Sequence, residues 1–185
     1  MRYSLVLVAL LAVPAASAQS SFFAAEFGAG SNGIAARGQA GLGRLGPVAP
    51  TVRLAMTTDT APASAEPSYR QSNVEVGLGA SRVVRLADGV GLAGGAGVAV
   101  AVAARGERTS QDDAFFRFPK MQFGLTLPLD LSAVVRLTRT VSVSAGGYWS
   151  VPLASGSSES DPDLLAQMPS LGQRVAVLGV RVGGW

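Results

Sequence analysis

Residues 123–137 read FGLTLPLDLSAVVRL. Phe123, Leu125, Leu127, Leu129, Leu131, Val135 and Leu137 share one parity, with Ala133 among them. Gly124, Thr126, Pro128, Asp130, Ser132 and Arg136 share the other, which Gln122 extends by one step. A period of two sends successive side chains to opposite faces of a strand, whereas an amphipathic helix needs apolar residues three and four apart. The alternation recurs at 90–104, where Val90, Leu92, Val98, Val100 and Val102 oppose Gly91, Ala93, Gly95, Gly97, Ala99 and Ala101. Val74, Val76, Leu78 and Ala80 alternate with Glu75, Gly77, Gly79 and Ser81, and Val141, Val143, Trp149 and Val151 with Ser142, Ser144, Tyr148 and Ser150. One face is Val, Leu and Phe. The other is small, polar and sparsely charged.

Working outward from these runs, turn residues divide the chain into eight strands, at 21–30, 34–43, 48–58, 72–86, 90–104, 122–137, 140–152 and 173–185. Asp88-Gly89 is a hairpin signal, and 44–46 and 138–139 are similarly tight. The connections 59–71, 105–121 and 154–172 are long and polar. The first connection, 31–33, is short although it falls at the end where loops are expected. After it, long and tight connections alternate. An even number of antiparallel strands then puts the loops at one end and the tight turns, with both termini, at the other. The expected fold is all-β, a closed antiparallel up-and-down barrel.

The segment 1–18, MRYSLVLVALLAVPAASA, has Arg2 at its start, an apolar run at 5–13, a break at Pro14 and an Ala16-Ser17-Ala18 cleavage pattern. These are the parts of a secretory signal, and the run is too short to span a bilayer as a helix. The expected organisation is a signal peptide over 1–18, removed after Ala18, and a single barrel domain over 19–185.

Composition narrows the chemistry. The 185 residues include no Cys and no His. Zinc-finger, haem-His, Cys-His and Ser-His-Asp sites are thereby excluded, as is a disulfide framework. Charged residues are only 15% of the chain, and the formal net charge is +3. The arginines are scattered singly and form no basic run, so the sequence lends no support to nucleic-acid binding. The Gly-rich stretches at 28–33 and 91–97 have neither a following helix nor a P-loop lysine, which argues against nucleotide binding. Asp112-Asp113 and Asp161-Pro162-Asp163 lack a full calcium ligand loop. No catalytic, cofactor or metal site is expected.

A signal segment, alternating strands of about ten residues, loops at one end, tight turns at the other and a terminal aromatic together resemble the small bacterial outer-membrane β-barrels, the eight-stranded OmpA/OmpX-like domains. The resemblance spans residues 20–185 as a pattern rather than a motif. It implies a transmembrane barrel in the bacterial outer membrane, monomeric, in contact with membrane lipid and lipopolysaccharide. It also implies assembly by the barrel-assembly machinery through a C-terminal strand ending in Trp185. Leu178, Val180 and Val182 lie on the parity opposite Trp185, so an irregularity at Gly183-Gly184 is expected. Enzymes among such barrels rely on a His, and this chain has none.

In lipid the Val/Leu face would point outward, because every backbone group must be paired inside a closed sheet. A soluble lipocalin-like barrel would reverse the faces and expose a Gly/Ala/Ser surface poor in charge. With the apolar face outward, the inner parity carries Glu26, Arg37, Gln39, Arg53, Glu75, Asp130, Arg136, Tyr148 and Arg181. Both signs are present, and eight strands enclose a lumen just wide enough for side chains. The expected interior is a polar network of ion pairs that fills the barrel. Tyr148, Trp149 and Trp185 are expected at the membrane interfaces. The expected role is non-enzymatic: structural, or interaction with the surroundings through the outer loops. The alternative is a narrow channel or carrier for small solutes or apolar molecules.

Overall fold

A computed structural model of the chain describes residues 21–30, 33–43, 45, 47–58, 69–107, 117–157 and 170–183. Eight strands follow one another: β1 Phe22–Gly30, β2 Gly33–Gly41, β3 Ala49–Thr58, β4 Tyr69–Ala87, β5 Val90–Glu107, β6 Arg117–Arg136, β7 Val141–Ser157 and β8 Gln173–Gly183. Each pairs antiparallel with the next, and β8 returns to β1, so the sheet is a closed up-and-down barrel. The segment 1–18, Trp185 and the loop acids Asp112, Asp113, Asp161 and Asp163 lie outside the described residues.

The two faces separate as the alternation requires. Val74, Val76, Leu78, Val98, Val100, Phe123, Leu125 and Leu131 are exposed on the outer wall, Leu78 to 67%. Arg37, Arg53, Glu75, Thr126 and Asp130 are buried inside. This orientation overturns the lipocalin-like alternative, whose apolar face would line the interior.

The strands are less equal than the sequence suggests. The strands β1, β2, β3 and β8 have 9–11 residues, whereas β4 to β7 have 17–20. The expected connection 105–121 is ladder at both its ends, since Arg105 pairs with Lys120 and Glu107 with Arg117. Likewise β7 continues to Ser157, five residues beyond the expected end. In β7 the alternation fades because residues 151–155 are exposed on both faces, so no face has to be apolar. Backbone pairing carries the wall upward without help from hydrophobic contrast.

Two of the ladder irregularities lie at prolines. Pro128 is fully buried in mid-β6. The β5–β6 ladder there jumps from Ala96↔Leu129 to Ala99↔Thr126. A proline cannot donate to a neighbour, which accounts for the gap. In β7, Thr126 pairs with Pro152 and Leu125 with Ala154, so Leu153 is an extra residue and the strand is bulged. At the C-terminal end the backbone leaves the extended conformation at Gly183, with φ +124°. A Cβ there would run into the backbone of Ser21 and Phe22.

If the outer wall faces lipid, Leu78→Arg places a cation in the middle of an apolar belt. We expect it to lower the stability of the refolded barrel in bilayers by about 2–4 kcal/mol. Ser72→Arg, near the upper edge of β4, should cost little. Urea titration in lipid vesicles measures both, and equal effects would show that position 78 is not within an apolar solvent.

Candidate functional site

The lumen is filled in layers from the turn end to the loop end. At the bottom, Phe22 is buried and the Arg181 guanidinium lies 3.5 Å from its ring centroid. A guanidinium over an aromatic face is attracted by the ring quadrupole.

The middle layer holds most of the charge. The Glu26 carboxylate meets Arg37 at 3.1 Å and accepts a hydrogen bond from Ser144 at 3.3 Å. Asp130 Oδ1 lies 3.0 Å from Arg37 and 2.7 Å from Arg53. Arg37 also donates to Gln39 at 3.0 Å, and Arg53 donates to Thr51 at 3.2 Å and to the Ala80 carbonyl at 3.1 Å. Strands β1, β2, β3, β4, β6 and β7 are thus tied together across the barrel. A paired charge with its remaining donors occupied is the form in which an ion can be buried; an unpaired one would be expelled or neutralised.

Above it, Glu75 is 3% exposed. It accepts hydrogen bonds from Tyr148, Ser150 and Thr126, the last at 2.9 Å. The Arg37 guanidinium sits 5.0 Å from the Tyr148 ring centroid and so links this layer to the one below. At the loop end Leu171 is buried against Ala101 and Ala103, and its carbonyl accepts from Asn73 at 3.4 Å. Leu171 precedes β8, outside any alternating run, and no sequence signal marks it. Phe22 is the other closing residue that parity alone did not single out, since an apolar side chain on the inner face looks like an exception.

Three of the expected placements need correction. Arg136 shares the inner parity but stands on the last residue of β6, where the strand leaves the barrel, and is exposed. Glu75 meets hydroxyls rather than a guanidinium. Tyr148 points inward and is 3% exposed, so it belongs to the lumen and not to an interfacial belt. Trp149, its neighbour, is 40% exposed on the outer wall. Parity already separates the two, because adjacent strand residues cannot share a face.

Small residues make this filling fit. A Cβ at Gly95 would fall on the Arg53 guanidinium and lie 3.1 Å from Asp130 Oδ1. Similarly, a Cβ at Gly179 would fall on Glu26, and one at Gly41 on the Phe22 ring. Each of these large inner side chains therefore lies over a glycine of a nearby strand.

No family model matches the sequence, and no curated protein matches it either. Solved structures do match in shape. Neisserial surface protein A (NspA) is 15% identical with a TM-score of 0.59, covering 88% of this chain and 94% of its own. The N-terminal β-barrel domain of Pseudomonas aeruginosa OprF is 14% identical with a TM-score of 0.54, covering 90% and 98%. A major outer membrane protein from Thermus thermophilus is 14% identical, also with a TM-score of 0.54, covering 89% and 99%.

Two outcomes test the filled lumen. Asp130→Asn removes the one carboxylate that stands between Arg37 and Arg53, and should destabilise the refolded barrel by roughly 3–5 kcal/mol in a urea titration. Gly95→Val pushes the Arg53 head away from Asp130 and should destabilise in the same direction. Combined with Arg53→Ala, which empties the space, Gly95→Val should cost less than it does alone. Additive losses would mean that Gly95 and Arg53 do not share that space. The chain thus has the closed eight-stranded fold of the small outer-membrane barrels.

Proposed function

We propose that this protein is an integral β-barrel of the bacterial outer membrane, with an occluded lumen and a non-enzymatic role. That role is structural, or is exercised through the segments that join the strands at the loop end. The observation that carries the reading is the inversion of the usual soluble arrangement. Large apolar side chains encircle the outside while Arg37, Arg53, Glu26 and Asp130 pair within. Such a surface is costly in water and suited to hydrocarbon, and closure of β8 on β1 removes the edge that lipid would not tolerate. The likeness in shape to the outer-membrane barrels adds support.

In this reading 1–18 directs export and is removed after Ala18. The outer wall contacts membrane lipid, with lipopolysaccharide on the loop side. The assembly machinery engages the terminal strand, and the barrel works as a monomer. The interior acids are fixed by structural partners, which favours a stable plug over a conduit.

The expected result is fractionation with the outer membrane and dependence on detergent for solubility. Recovery as a soluble periplasmic monomer would defeat the reading. Reconstituted in planar bilayers, the barrel should show no sustained ion conductance. Steady open-channel currents from the purified protein would favour the channel alternative instead.

A further inference from the structure

The fold gathers what the sequence scatters. Arg82 and Arg85 lie on β4 below its last pairing with β3, at Ala49↔Ser81. Arg136 ends β6, and Arg139 lies in the turn that follows. All four are exposed. Two of them flank the start of β5: Arg85 and Val134 pair with Gly91 from its two sides, and the Arg136 N–H donates to the Gly89 carbonyl at 2.7 Å, while Arg82 pairs with Gly94 three residues farther up. Asp88 is the one acid among the described residues of this end. Asp112, Asp113, Asp161 and Asp163 lie in sequence between β5 and β6 or between β7 and β8, outside the described residues.

The surroundings of these arginines are apolar. Val84, Leu86, Val90, Val135 and Leu137 are exposed on the outer face that Arg82 shares, whereas Arg85 and Arg136 stand on the inner parity at the ends of their strands and reach the rim. Arg82 is on the outward parity, with Leu78 and Ala80 on one side and Val84 and Leu86 on the other. A guanidinium so placed runs its stem along the apolar wall and carries its head to the polar boundary. Neighbouring positions thus offer a phosphate partner and a hydrocarbon partner.

We propose that the turn end is a docking surface for the phosphodiester headgroups of anionic phospholipids in the leaflet on that side. The inference rests on the membrane reading above and deepens it. Guanidinium presents paired N–H donors that match phosphate oxygens, which an isolated ammonium does not. Arg82 stands on the outer wall and Arg85, Arg136 and Arg139 at the rim rather than in the lumen, and the exposed leucines and valines around Arg82 require acyl chains. Both features select a lipid over a free anion.

The test is competition between phosphatidylglycerol and phosphatidylcholine of equal chain length for the detergent-refolded barrel, read by native mass spectrometry. The wild type should retain phosphatidylglycerol preferentially, by about five-fold for each engaged arginine, and high salt should erase the preference. The variant R82Q/R85Q/R136Q/R139Q should retain both lipids equally. R82Q/R85Q, which alters fewer positions, should give an intermediate preference if the fourfold variant does not fold.

Equal retention by the wild type would overturn the proposal. So would displacement of phosphatidylglycerol by inorganic phosphate at constant ionic strength, which would mark a free-phosphate site. Flotation with phosphatidylcholine vesicles separates the two readings. A wild type that floats without lipid preference fails only this proposal, whereas one that does not float defeats the membrane reading and this proposal with it.

Discussion

Nine consecutive register pairs join Phe22–Gly30 to residues 175–183. Everything else in the barrel follows from that seam. A sheet left open there would present two rows of unpaired N–H and C=O groups, each costing several kcal/mol away from water. Closure satisfies them, but it also fixes the diameter and encloses whatever the inner parity carries. Eight strands leave room for side chains and little else. The interior must then be packed, and its charges must be matched in place, because little of their surface reaches solvent. Among the described residues the buried charges are balanced in number: Arg37, Arg53 and Arg181 against Glu26, Glu75 and Asp130.

The seam also explains the glycines and alanines. A narrow closed sheet brings opposite walls and neighbouring strands together, so a long side chain needs vacant room on a nearby strand. Gly179 leaves room for Glu26 and Gly95 for the Arg53 head. Small residues on the inner face, which would weaken an ordinary half-buried strand, here set the volume available to the ion pairs. The same residues lower the contrast of the first two strands, where Phe22–Gly30 and Gly33–Gly41 are mostly Gly and Ala.

Legibility in the sequence tracks what each feature depends on. The inward and outward parity of 90–104 and 122–137 was readable because burial imposes it residue by residue. The pairing of Glu26 with Arg37 is nearly local, since the two are direct register partners across one hairpin. The pairing of Asp130 with Arg37 and Arg53 joins β6 to β2 and β3 across the lumen and depends on strand stagger, which alternation does not encode. The same holds for Glu75 on β4 and Tyr148 on β7. The height of β7 was hidden because its upper residues 151–155 are exposed on both faces and need no pattern. Leu171 was hidden because it acts from a connection.

The preference for arginine over lysine, fourteen against the single Lys120, fits the same constraint. Arg37 pairs with Glu26 and Asp130, donates to Gln39 and lies near the Tyr148 ring. A lysine there would have one compact head with three donors and no planar face, and could not span two carboxylates while resting on an aromatic. In a lumen where these ions are buried, a multivalent planar cation lets few charges hold many strands. The cost of such a design is that the interior becomes a set of mutually dependent positions with little freedom to change. Freedom to vary is left to positions outside this network, such as the rim where Arg82 meets the boundary of the apolar wall.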